Sequence, residues 1–145
     1  MRDRARRRQA SGGRMTEHAN ALRIRDLFRA FREGDAAAIR DRLHAEAVWH
    51  FPGHRGRLAG SHRGHEAIFA FLLDVQTATG GTFGLELVDV LANDRHAAVF
   101  FRGHATRAGR TLDNPTCLRI RFVDGQVAEI WEFVWDLEHV EAFWG

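Results

Sequence analysis

Hydrophobic positions in this chain follow two periods, helical up to about residue 78 and alternating from residue 83 onward. In the first regime Ala21, Ile24, Leu27, Phe28 and Phe31 share one face at 3.6-residue spacing, which predicts a helix capped by Thr16 and running to about Glu33. Gly34 stops it, and Asp35 caps a second, short helix over 36–43, so the two form an antiparallel hairpin. A short strand follows at 48–51. Pro52-Gly53 breaks it, because proline has no N–H to give to a ladder and glycine frees φ. The Gly- and Arg-rich stretch after it, carrying His54 and His62, reads as a loop. A third helix spans about 65–78, with Ile68, Phe71, Leu72 and Val75 inward and Gly80-Gly81 as its stop.

In the second regime, alternation predicts strands at 83–87, 96–106, 114–123 and 126–135, the last pair joined by an Asp124-Gly125 turn. Asp136 caps a terminal helical turn over 137–143. Helices first and meandering strands afterwards indicate an α+β fold, with helices on one face of a mostly antiparallel sheet. Alternation also assigns faces. Leu118, Ile120 and Phe122 share one side, and Arg119 and Arg121 take the other with Cys117. On the last strand Ile130, Glu132 and Val134 oppose Trp131, Phe133 and Trp135, and both sides are apolar enough to be partly buried.

Charge changes the picture only at the N-terminus. Residues 1–14 hold six arginines against Asp3 alone; taking that net +5 from the whole-chain +2 leaves about −3 from Met15 onward. The segment reads as a disordered basic tail or a mis-assigned start, with the domain spanning 15–145. A mildly acidic domain offers no basic face for nucleic acid. Its length suits one domain, and 45% hydrophobic residues are enough for a core without disulfides. The lone Cys117 fits a reducing compartment. The tail lacks the roughly 7–15-residue apolar core of a secretion signal, and no apolar run approaches the ~18 residues of a membrane span. The expected location is therefore the cytoplasm, with no membrane partner.

The hairpin with Gly34-Asp35, the segment Trp49-His50-Phe51-Pro52-Gly53, the run Arg63-Gly64-His65-Glu66-Ala67 and the closing stretch from Asp124 to Phe133 stand in a telling order. Together they resemble the SnoaL-like branch of the NTF2-like superfamily, which includes ketosteroid isomerases and polyketide cyclases. The resemblance covers about residues 16–145. It implies an NTF2-like cone, three N-terminal helices packed in a curved sheet around an apolar pocket, and homodimers formed through the outer sheet face. It also implies a small-molecule enzyme without cofactor or metal: an isomerase or cyclase moving protons on a hydrophobic carbonyl compound of polyketide, steroid or terpenoid type. The alternative is a dimeric binding module that holds an apolar ligand without chemistry. Matching the strand before Pro52 to that of the isomerases places His50 at their general-base position. Their second carboxylic acid falls on Leu118, which cannot donate. In the cyclase pattern, Glu129-Ile130-Trp131-Glu132 places Glu132 as the acid/base carboxylate.

The candidate catalytic residues are thus His50 and Glu132, converging across the cone, with Trp49, Phe51, Phe101, Leu118 and Trp131 shaping the substrate pocket. Histidine titrates near neutral pH without tuning. A carboxylate flanked by Ile130 and Val134 on a concave face gains a raised pKa by desolvation, which suits proton abstraction beside a carbonyl. An epoxide-hydrolase reading, which needs a carboxylate–arginine–carboxylate relay, ranks last, because the inward faces offer Glu132 but no obvious arginine. A metal site lacks any His-Glu-x-x-His or cysteine set.

Overall fold

A computed structural model describes residues 16–145; the reading of the N-terminal tail lies outside them. The elements run α1 (Ala19–Glu33), α2 (Ala36–Arg42), β1 (Leu43–Phe51), β2 (Gly60–Arg63), α3 (Gly64–Ala78), β3 (Gly84–Ala92), β4 (His96–Arg107), β5 (Arg110–Val123), β6 (Gln126–Val134) and α4 (Leu137–Trp144). The helix hairpin forms as its caps dictate. Gly34 takes φ 66°, the left-handed position where a side chain is disfavoured, and Asp35 accepts from the Ala38 N–H. The first helix is capped by His18 rather than Thr16: its Nδ1 accepts from the Asn20 N–H at 3.0 Å. Two tight turns join the long strands, Asp124-Gly125 and Ala108-Gly109, with positive φ at both residues of each.

One six-stranded sheet has the order β2-β1-β6-β5-β4-β3. Neighbours are antiparallel except β1 and β6, which run parallel. Parallel pairing brings the strand after the helix hairpin beside the last strand, so Trp49 lies opposite Ile130 and His50 opposite Trp131. The register shifts at Leu87/Asp89, Arg121/Phe122 and Leu43/Val48, and such bulges bend a sheet. The sheet curves around α1 and α3, and the core lies between. Ile24, Leu27 and Phe28 of α1 and Ile68 and Phe71 of α3 meet the inward residues Val99, Leu118, Ile120 and Ile130. This is the α+β NTF2-like cone.

Besides β3, which runs to Ala92 rather than 87, and β5, which begins at Arg110 rather than 114, two further segments differ from the sequence expectation. The stretch read as loop contains β2, a four-residue edge strand that pairs with the end of β1 through His50 and Ser61. The first strand begins at Leu43, so α2 ends one residue earlier than predicted. Neither segment alternates cleanly, because β2 carries no large apolar residue and β1 opens on His44, Ala45 and Glu46. Among the described residues no helix is long and apolar enough to cross a membrane.

Candidate functional site

The cone encloses a cavity of about 700 Å³. Phe28 of α1, Phe71 of α3 and Phe101 of β4 give it aromatic walls, and Trp49 and Phe51 line it from β1. Phe28 meets Phe101 edge-on at 5.4 Å, and Trp49 packs on Phe71 at 5.2 Å, so the walls brace one another. The exposed side chains of Arg32 and Glu33 lie at the rim.

Glu132 is the ionisable group inside. It lies opposite Leu118 across β5 and β6, and its row continues through Val99 to Val90, all inward. Its Oε2 is sealed from solvent and has no hydrogen-bond partner among the described residues. Burial raises the Glu132 pKa to about 8, and the nearby Trp49 N–H opposes that shift without meeting hydrogen-bond geometry. An isolated carboxylate in so apolar a place would cost far more than any single contact returns, so the group keeps its proton at neutral pH. Trp49 Nε1 and Asn114 Oδ1 are likewise buried and unpartnered, and both residues line the same cavity.

His50 stands elsewhere. Neighbouring residues of a strand point to opposite sides, so with Trp49 and Phe51 inward His50 is outward. Its Nδ1 lies 2.7 Å from Ser61 Oγ, and its Nε2 donates to Glu129 Oε2 at 2.9 Å. The His50 hydrogen bond, aided by Arg121, holds the Glu129 carboxyl below the usual carboxylate range against the opposing effect of burial. Trp131 is outward too. It stacks on His50 with ring centroids 5.6 Å apart and carries the Arg119 guanidinium over its face at 4.4 Å. The expected convergence of His50 with Glu132 is therefore corrected, as is Trp131 as a pocket residue, because strand alternation separates them from the cavity. Trp49, Phe51, Phe101, Leu118 and Glu132 do come together around it. His62 and His65 each donate to a backbone carbonyl, of Leu58 at 2.8 Å and of Leu43 at 2.9 Å.

Sequence reasoning missed Asn114 and the polar part of Trp49. The signal for Asn114 was available: it shares an alternating face with Leu112, Thr116 and Leu118, all buried.

A curved sheet closed by helices over an acid in an apolar cavity defines a cone of the NTF2-like class. The chain belongs to the SnoaL-like domain family, whose pattern it matches over residues 24–130. It is 33% identical to the uncharacterized protein Rv0034 of Mycobacterium tuberculosis over 131 residues, 90% of this chain and 99% of that one. Among solved structures it is similar to Bal32a, from a soil-derived mobile gene cassette, at 37% identity and TM-score 0.83, covering 87% of this chain and 96% of the other. The same fold recurs in IdmH from Streptomyces antibioticus, a proposed polyketide cyclase, at 20% identity and TM-score 0.69, covering 85% and 96%.

Proposed function

We propose that this protein is a cofactor-independent isomerase or cyclase that moves a proton beside the carbonyl of a hydrophobic small molecule, with Glu132 as the acid/base group. The carrying observation is a carboxyl whose Oε2 is sealed from solvent and has no partner among the described residues, its pKa raised to about 8, inside an aromatic cavity large enough for a polycyclic ligand. A high pKa makes the ionised form a strong base and keeps it close enough to neutrality to be reached. In the step, the Glu132 carboxylate takes the proton from the carbon next to the carbonyl. The C–H electron pair becomes the enolate double bond, and the carbonyl π pair moves onto oxygen. The Trp49 N–H supplies the donor that Leu118 cannot, and Glu132 returns the proton at a second carbon or at oxygen. Phe51, Phe101 and Leu118 hold the ligand body. The likeness to proposed polyketide cyclases supports this substrate class.

The test is deuterium exchange into the acetyl methyl of 4-acetyl-4′-hydroxybiphenyl, followed by NMR in D2O. The wild-type chain accelerates exchange, and Glu132→Gln lowers the enzyme-dependent rate by ~10²-fold with folding intact. Equal rates in the two proteins would leave only the non-catalytic binding module. That second reading is favoured by one observation, the absence of a second carboxyl at Leu118.

The working form in this reading is a homodimer joined through the outer sheet face. Support comes from a cross-strand row, Phe100, Cys117 and Phe133, in which the two phenylalanines are exposed, with exposed Leu91 on the row beside it.

A further inference from the structure

Three buried polar atoms in the cavity lack partners among the described residues: Trp49 Nε1, Glu132 Oε2 and Asn114 Oδ1. A buried polar atom left unpaired is costly, so three in one cavity mark where a ligand supplies the missing bonds. They are not clustered. Trp49 and Glu132 sit together at one level. Asn114 lies on the same inward face of β5 as Leu118, the partner of Glu132, but four residues away, ~13 Å along the strand. The rows between them are lined by Phe101 and Leu118, with the Thr116 hydroxyl turned to the Asn114 carbonyl.

We propose that the cavity recognises a neutral, rod-shaped aromatic molecule with a hydrogen-bonding group at each end. Trp49 and Glu132 bind a carbonyl, and Asn114 accepts from a hydroxyl at the far end. The assignment of the carbonyl end rests on the proton-transfer reading above. Neutrality follows from charge: among the described lining residues the one arginine, Arg32, is exposed, as is the one histidine, His104, so a carboxylate or phosphate carried deep would meet no counter-ion. The aromatic body follows from the walls, where Phe28, Phe71 and Phe101 present ring faces and edges. One hydroxyl against a buried Asn gives discrimination that an all-apolar pocket cannot, because its absence strands the amide.

The test is calorimetric titration of the full chain with 4-acetyl-4′-hydroxybiphenyl, 4-acetylbiphenyl and biphenyl. In the wild type each polar group adds ~10-fold or more in affinity. The hydroxyl increment disappears in Asn114→Leu, and the acetyl increment disappears in Trp49→Phe, which keeps an aromatic ring there. A reading on the unaltered protein guards against variants that misfold: the Trp49 indole N–H resonance moves downfield with either ketone and stays in place with biphenyl. Failure of the hydroxyketone to bind, increments that survive both substitutions, or an unmoved indole resonance would each overturn the proposal. Glu132→Gln separates it from the catalytic reading. If the binding pattern persists while proton exchange proves independent of Glu132, only the catalytic reading falls; if exchange depends on Glu132 but the increments are absent, only the two-ended recognition falls.

Discussion

Trp49 and His50 are adjacent in sequence and stand on opposite sides of the sheet, Trp49 lining the cavity beside Glu132 and His50 paired outside with Glu129. The strand geometry that separates them is not adjustable: a one-residue slip of β1 would turn Trp49 out and His50 in, and would expose two aromatics to bury one imidazole. The pairing of β1 on both edges, with β2 and with β6, fixes the register.

The first prediction follows from that separation. His50→Ala leaves Glu132-dependent deuterium exchange within about twofold of wild type, because no contact of His50 reaches the cavity. The same substitution raises the pKa of Glu129, which loses its main stabilising hydrogen bond; a carbon-13 titration of the carboxyl reads this directly. A loss of exchange comparable to that in Glu132→Gln would contradict the separation of the two faces.

A second prediction concerns stability. Glu132 titrates near 8 in the folded chain against a reference of 4.5, so between those values the folded state binds more protons than the unfolded state. Its contribution to stability is therefore greatest below about pH 4.5 and falls as pH rises through the window to 8, by on the order of 3–5 kcal/mol. Glu132→Gln lacks this dependence. Urea unfolding at pH 5 and pH 8.5 should show the wild type losing stability relative to the variant, and a difference that does not change with pH would count against a buried neutral carboxyl.

The outer face gives a third. Phe133, 56% exposed, stands in the apolar row proposed to join two copies. Phe133→Arg places a charge at the more exposed end of that row and should convert a dimer into a monomer in sedimentation equilibrium, with exchange activity per chain retained. A wild-type chain that already sediments as a monomer would remove the dimer from the account.

Much of the cone was legible in the sequence because its elements carry strong local signals. The Gly34-Asp35 hairpin, the Asp124-Gly125 turn and the alternation around Leu118 all act within a few residues. On β6 both faces are apolar, so alternation left the inward face open, and Glu132 was singled out by the cyclase-like pattern rather than by a local signal. His50 was put in the cavity by matching the isomerase base position, and because Val48, Trp49 and Phe51 are all apolar, alternation on β1 gave no local signal against it; the pairing with β6 decides the faces. Asn114 went unread for a different reason. The predicted strand begins at Asn114 and so leaves it at a strand end, whereas β5 begins at Arg110 and Asn114 sits 7% exposed within it. The placement of the Trp49 N–H beside Glu132 depends on a juxtaposition of strands that no local pattern encodes.

The most direct test of the central claim is the titration of Glu132 itself. Carbon-13 NMR of a glutamate-labelled chain, with the Glu132 carboxyl assigned by its disappearance in Glu132→Gln, should give a midpoint of about 8 in the free protein. A midpoint near 4.5 would mean that the group is solvated and ionised at neutrality, and the proton-transfer account would not stand.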